Sequence, residues 1–276
     1  MTDNRDMPDL DAALEAELLR LAHQSHTPSD TPLDTRVVIL AGGRGRRLEP
    51  YTSVLPKPLM PIGNRSILEI LVHQLADAGF YNLTFCVGYL SHLIRAVFEN
   101  GPGERVDITW VREPDPLGTA GPLRLVKGLD DTFLAMNGDL LTTLDYSALL
   151  EHHREAGNVL TIATHRRRVQ SDYGVLHLGD GTDAQRVFAY QEKPEMVWNV
   201  SMGIYVLEPE ALSFIPESGP FDFPDLVQAL LEADRRIGSY VHDGLWLDIG
   251  RHEDYENAVE LWAHGARLAS EQAPSR

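Results

Sequence analysis

From residue 35 onward, apolar residues come in short runs separated by polar turns, and the runs alternate between two kinds. TRVVIL (35–40) is a compact β-branched run that predicts a buried strand. SILEILVHQLADAG (66–79) instead spaces its apolar residues for one helix face, with Ser66 and Glu69 at capping-box spacing and Gly79 as the stop. NLTFCVGY (82–89) predicts a second strand, SHLIRAVFENG (91–101) a second helix capped by Ser91, and VDITWVRE (106–113) a third strand. TAGPLRLVKG (119–128) and TFLAMNGD (132–139) repeat helix and strand. This alternation implies βαβ units and an α/β fold with a doubly wound, mostly parallel mixed sheet. Ligands of such a sheet sit beyond the carboxyl ends of its strands.

From residue 158 the runs shorten to NVLTIATH, YGVLHL, RVFAYQEK and SMGIYVLEP, with GDGTD (179–183) as a strong turn signal. They predict a small β-rich lobe containing a hairpin and mixed into the main sheet. FDFPDLVQALLEA reads as another helix, GLWLDIG as a late strand and HEDYENAVELWAHGARLA as a closing helix. The chain therefore divides into an acidic arm (1–34), one α/β domain (35–265) and a polar tail (266–276). Within the arm, Leu10, Leu14, Leu18 and Leu21 fall at helical spacing in DLDAALEAELLRLAHQ, and TPSDTP follows as a linker.

The 276 residues suffice for a substantial core, and 24 Lys and Arg against 41 Asp and Glu leave a net charge of −17. That balance opposes general attraction to nucleic acid or anionic membranes, so an anionic ligand must be met by local positive charge. Cys86 is the single cysteine, excluding an intrachain disulfide, and its place in LTFCV predicts a core position. Neither a signal-peptide pattern nor an apolar run of the ~18 residues needed to cross a bilayer is present, so a soluble cytoplasmic protein is expected.

Local positive charge appears directly after the first strand. AGGRGRRLEPYT (41–52) sets three glycines, which let backbone N–H groups approach phosphate oxygens, beside three arginines. It lacks the third glycine of a dinucleotide fingerprint and the Gly-Lys-Ser/Thr of a P-loop. Three other features read as bland. RRR at 166–168 is expected in a solvated loop; adjacent His152 and His153 lack the helical spacing of a zinc pair; and no Gly-x-Ser-x-Gly elbow supports acyl hydrolysis.

The segment VVILAGGRGRRLEPYTSVLPKPLMPIGNRSILEI resembles the opening signature of the sugar-1-phosphate nucleotidylyltransferase family: apolar strand, Gly-Gly-x-Gly-Thr-Arg-Leu, then Pro-Lys-Pro before the first helix. EPDPLGTAGPL, LAMNGDLL, YGVL, QEKP, SMGIYVLEP and WLDIGRHEDYENA resemble later motifs of that family in the same order. The likeness is greatest to bacterial guanylyltransferases acting on heptose, mannose or glucosamine 1-phosphates and to natural-product relatives.

The resemblance implies a Rossmann-like nucleotidyltransferase fold and transfer of a nucleoside monophosphate from an NTP, GTP favoured, to a sugar 1-phosphate. It implies that Ala41, Gly42, Gly43, Gly45 and Arg46, with Gly88, Leu117, Gly118, Thr119 and Gly138, bind the nucleotide. Arg47, Lys57 and Asp139 would be catalytic, Arg47 on the departing phosphates and Lys57 near the α-phosphate. Asp139 and Asp248 would hold Mg²⁺. Tyr173, Gly174, Glu192, Lys193, Ser201 and Gly203 would bind the sugar phosphate in the β-rich lobe. Members are frequently dimers or tetramers, which puts a homo-oligomer among the expectations.

Arg46 stands where the family has Thr, Ser201 and Met202 stand where it has Asn and Ala or Gly, and the extra domains of many relatives have no room here. Alternatives are a cyclitol 1-phosphate guanylyltransferase, a uridylyl- or thymidylyltransferase, and a nucleotide-sugar-dependent glycosyltransferase. The last usually presents Asp-x-Asp where this chain has Asn137-Gly138-Asp139. A non-catalytic nucleotide-sugar sensor is opposed by retention of Lys57, Asp139, Lys193 and Asp248.

Overall fold

A computed structural model describes residues 33–99 and 102–272, so the arm's expected helix and linker lie outside the described residues. The elements are β1 (Val37–Ala41), β2 (Pro61–Ile62), β3 (Arg65–Ser66), α1 (Ile67–Asp77), β4 (Asn82–Val87), α2 (Ser91–Phe98), β5 (Asp107–Arg112), β6 (Phe133–Asn137) and β7 (Leu140–Thr142). There follow α3 (Tyr146–Ala156), β8 (Leu160–Gln170), β9 (Val175–Leu178), β10 (Val187–Gln191), β11 (Glu195–Leu207), α4 (Phe223–Glu232), β12 (Ile237–His242), β13 (Trp246–Asp248) and α5 (His252–Gln272). Helix α5 runs on into the stretch expected as a polar tail.

Seven strands form the main sheet in the order β12-β8-β11-β6-β1-β4-β5. All neighbours are parallel except the two pairs made by β11, which runs against β6 and β8. Alternation along β1 explains the layers. Val37, Ile39 and Ala41 face a core closed by α1, α2 and α3 through Leu68, Leu71, Ile94, Phe98, Leu149 and Leu150. Val38 faces the opposite core with Phe133 and Ala135, closed by Phe223, Leu226 and Leu230 of α4. Phe85 anchors the first core, its ring 5.2 Å from Phe98 and 5.1 Å from Trp110, and burying such a ring contributes about 1.5–3 kcal/mol. Cys86 is fully buried, and burial pushes its thiol up to about 12, so it stays protonated.

The capping box is present: Glu69 N donates to Ser66 Oγ at 3.2 Å and Ser66 N to Glu69 Oε2 at 2.7 Å. Ser91, in contrast, does not cap α2; it is the helix's first residue, preceded by Leu90 at φ 50°. Tyr89 N donates to Gly42 O at 3.2 Å and Ser91 N to Gly88 O at 3.3 Å, so bonding to the glycine loop, not a side-chain cap, sets where α2 starts.

The helix expected over TAGPLRLVKG is a single 3-10 turn, Gly121–Leu125. The Ala120 and Gly121 amides donate to Phe221 O at 2.9 and 2.8 Å, which ties this segment to the loop before α4. Arg166, Arg167 and Arg168 lie on β8 and not in a loop, because β11 pairs with them through Asn199, Trp198 and Val197. GDGTD makes the turn of the antiparallel β9–β10 hairpin, as its glycines predict. The edge strand β12, IGSYVH, is half polar and gave no strand signal. No helix among the described residues is long and apolar enough to cross a membrane.

Candidate active site

A cleft of about 520 Å³ opens beyond the carboxyl ends of β1, β5 and β6. Ala41, Gly42, Gly43, Gly45, Arg46, Arg47, Lys57, Leu117, Gly118, Thr119, Asp139 and Asp248 all line it, so the expected nucleotide and catalytic residues converge.

The glycine loop leaves β1 and is pinned from two sides. Thr52 Oγ1 donates to Gly45 O at 2.9 Å, and Leu48 N closes a 3-10 turn onto the same carbonyl. Arg44 turns away, its guanidinium 5.5 Å from the centre of the Tyr89 ring, which leaves Arg46 and Arg47 as the loop's cleft-facing cations. Lys57 follows Pro56 in a 3-10 turn, Lys57–Leu59, where two prolines fix its backbone.

The Leu117–Thr119 loop is clamped to α4. Thr119 N donates to Asp222 Oδ1 at 2.7 Å and Phe223 N to Thr119 Oγ1 at 2.9 Å, so Thr119 serves the N-terminus of a distant helix. Between them Gly118 sits at φ 80°, where a Cβ would lie 2.6 Å from Phe221 O, and only glycine fits.

Asp139 and Asp248 meet because β13 pairs antiparallel with β7, and Ile249 N donates to Asp139 O at 3.3 Å. Lys57 Nζ ion-pairs with Asp139 Oδ2 and lies 3.8 Å from Asp248 Oδ1. Asp139 Oδ1 is buried and has no hydrogen-bond partner among the described residues. Partial withdrawal from water, and then the Asp139 charge, push the Asp248 carboxyl above the usual carboxylate range, against the pull of Lys57 and Arg47. Two convergent carboxylates, one with an unpartnered buried oxygen, suit Mg²⁺, which takes one or two protein carboxylates and keeps its other positions for water and phosphate. No group of three or more His, Cys, Asp or Glu that could hold a metal occurs among the described residues.

Several expected residues stand behind or outside the cleft. Gly88 lies where Gly42 approaches the end of β4, and Gly138 N donates to Leu40 O at 2.9 Å, so both support the loops. Gly203 packs against Asn137, a lining residue, and Ser201 Oγ lies 3.1 Å from the Tyr205 hydroxyl. Tyr173, Gly174, Glu192 and Lys193 lie in the exposed β9–β10 lobe, with Tyr173 80% exposed, and do not line the cleft.

Glu113, which the sequence did not flag, does line it. Its carboxylate packs so closely on Gly42 that a Cβ there would lie 2.0 Å from Oε1, and Leu117 N donates to Oε2 at a long 3.4 Å. Burial pushes this carboxyl up, which the Leu117 bond partly offsets, and no cation pairs with it among the described residues. It is a half-buried acceptor with spare capacity, set between Gly42 and Leu117 of the cleft lining.

Residues 36–264 match the family model described as nucleotidyl transferase. A UTP–glucose-1-phosphate uridylyltransferase of Synechocystis sp. is 31% identical over 244 residues, covering 81% of this chain and 62% of the relative. A probable mannose-1-phosphate guanylyltransferase 1 of Oryza sativa subsp. japonica is 32% identical over 251 residues, covering 87% and 67% respectively. The chain thus spans about two thirds of the length of these relatives. The crystal structure of HddC from Yersinia pseudotuberculosis complexed with GMP-PN superposes with a TM-score of 0.62 at 26% identity, covering 82% of this chain and 98% of that one.

Proposed function

The chain belongs to the nucleotidyl transferase family, and from that premise we propose that it makes a nucleotide-activated sugar by transferring GMP from GTP to a sugar 1-phosphate. The observation that carries this reading is the convergence in one cleft of the glycine–arginine loop, Lys57 and the Asp139–Asp248 pair. A phosphate oxygen of the sugar 1-phosphate attacks the α-phosphorus of the triphosphate in line. The bond from that phosphorus to the oxygen bridging to the β-phosphorus breaks, and pyrophosphate leaves with that oxygen. The nucleophile is already an anion, so no general base is required; the chemical difficulty is bringing two polyanions together inside a protein of net charge −17.

The loop amides of Gly42, Gly43 and Gly45, with Arg46 and Arg47, bind and neutralise the triphosphate. Lys57 places its ammonium at the reacting phosphate, where charge redistributes during transfer. Asp139 and Asp248 would hold Mg²⁺, which when bound supplies charge neutralisation of the phosphates. Lys193, Glu192 and Tyr173 would receive the sugar phosphate from the lobe.

Glu113 supports the choice of guanine. Guanine offers two adjacent donors, N1–H and N2–H₂, that fit one carboxylate, whereas uracil and thymine offer one N–H between two carbonyl oxygens that a carboxylate repels. Glu113→Gln is expected to lower kcat/KM for GTP by about 10- to 100-fold, the worth of a charged hydrogen bond, and to narrow the gap to UTP. Unchanged preference in that variant would remove the basis for a guanylyltransferase while leaving nucleotidyl transfer itself standing.

A further inference from the structure

Thr119 lines the cleft, yet its hydroxyl is committed elsewhere. It donates to Asp222 Oδ1 at 3.0 Å and accepts from Phe223 N at 2.9 Å, while the Thr119 amide donates to the same Asp222 oxygen at 2.7 Å. A threonine hydroxyl has one proton to give, and here Asp222 takes it. The exchange is reciprocal. Phe223 N is the first amide of α4, one of those a helix leaves without an internal partner, and Thr119 satisfies it; Asp222, the residue before the helix, holds Thr119 in return. The main chain repeats the tie: Phe221 N donates to Leu117 O at 2.8 Å, and Phe221 O accepts from the amides of Ala120 and Gly121. Between these anchors, the Gly118 amide has no hydrogen-bond partner among the described residues.

We propose that Asp222, which does not itself line the cleft, is a positioning residue for nucleotide binding. Given nucleotidyl transfer in the cleft, the reading on which this assignment rests, Asp222 acts through Thr119. It holds the Leu117–Thr119 turn, and with it the free Gly118 amide, in the form that the nucleoside meets. Thr119, which the family resemblance implies as a nucleotide ligand, becomes the link between that turn and α4. The helix is a firm base for it. Phe223 is buried and stacks on Tyr205 with ring centres 3.7 Å apart and planes 7° apart, and Leu226 and Leu230 are fully buried in the core on that side of the sheet. A carboxylate suits the task because one of its oxygens accepts from both an amide and a hydroxyl, and charged acceptors make the stronger bonds. An asparagine oxygen in its place accepts the same two bonds more weakly.

The test compares the full-length parent with Asp222→Ala, Asp222→Asn and Thr119→Val. Nucleotide binding is measured by calorimetry with GTP and, separately, UTP, each with Mg²⁺ and no sugar phosphate; steady-state pyrophosphate release gives kcat and both KM values. For whichever nucleotide the parent binds more tightly, Asp222→Ala and Thr119→Val are expected to raise Kd and KM about tenfold or more, the worth of the hydrogen bonds removed. The KM for the sugar phosphate and kcat should stay within about threefold of the parent, and Asp222→Asn should bring the nucleotide KM back to within about threefold. Partial unfolding acts differently: it lowers the active fraction, and so the apparent kcat and the binding stoichiometry, but leaves Kd and KM as they were. A nucleotide Kd unchanged in Asp222→Ala overturns the proposal, and if Thr119→Val alone weakens binding, the hydroxyl returns to direct contact with the nucleotide. A fall in kcat with both KM values intact also overturns it. A parent that binds neither nucleotide overturns it together with the reading of the cleft.

Discussion

Lys57→Met removes one ammonium and keeps the length of the side chain. In the parent, that ammonium pairs with Asp139 and lies 3.8 Å from Asp248, inside a cleft also lined by the glycine loop. In the proposed reaction it thus faces both the carboxylates that would hold Mg²⁺ and the phosphate that reacts. Removing one well-placed charge-stabilising donor costs ~3–4 kcal/mol of transition-state stabilisation, so kcat for pyrophosphate release should fall roughly 10²- to 10³-fold. Stability provides an independent readout. Without Lys57 the two carboxylates lose their shared counter-charge, and a loss of at least about 1 kcal/mol lowers the midpoint of thermal unfolding by about 2–4 °C in metal-free buffer. Adding Mg²⁺ should then raise the midpoint of the variant more than that of the parent, because the cation no longer competes with an ammonium for Asp139. Turnover within tenfold of the parent, together with identical responses to Mg²⁺, would refute the role given to Lys57.

The raised Asp248 carboxyl sets a pH dependence of known sign. As pH falls, Asp248 protonates before an ordinary aspartate does, so the Mg²⁺ concentration for half-maximal rate should climb already above pH ~4, whereas a flat profile down to that pH would contradict the shift. Because the folded-state value lies above the unfolded one, ionised Asp248 weakens the fold at neutral pH, a penalty relieved as pH drops through the folded value. Asp248→Asn should therefore unfold at a higher temperature than the parent at neutral pH while losing Mg²⁺-dependent turnover. Gly118→Ala forces a Cβ to 2.6 Å from Phe221 O at φ 80°. It should cost about 1–3 kcal/mol in urea unfolding and raise KM for the nucleotide more than it lowers kcat.

Local grammar carried the sequence reading furthest where an element is stabilised by its own residues. The Ser66–Glu69 capping box and the GDGTD turn each contain the groups that stabilise them, and each is found in place. Elements shaped by distant partners were not legible. TAGPLRLVKG has helical spacing, yet its first amides bond to Phe221, and the start of α2 follows from Tyr89 bonding to Gly42. The same division holds for the site. Gly42, Gly43, Gly45, Lys57 and Asp139 could be found because their motifs are contiguous, and all line the cleft. Glu113 heads the EPDPLGTAGPL motif, yet nothing in the sequence sets it apart from the other carboxylates of a chain with 41 acidic residues, and only the packing of Gly42 against it gives it a place. The lobe residues Tyr173, Glu192 and Lys193 were expected from motif order, which says nothing about the distance between lobe and cleft.

The central claim is that this cleft joins a sugar 1-phosphate to a nucleoside monophosphate. The most direct measurement is pyrophosphate release with Mg²⁺, testing ATP, CTP, GTP, UTP and dTTP each against a panel of hexose, heptose and cyclitol 1-phosphates. The expected result is release that requires both substrates, is highest with GTP, and yields a nucleotide-linked product in equal amount. Absence of release with every pair, or release that does not depend on the sugar phosphate, would contradict it.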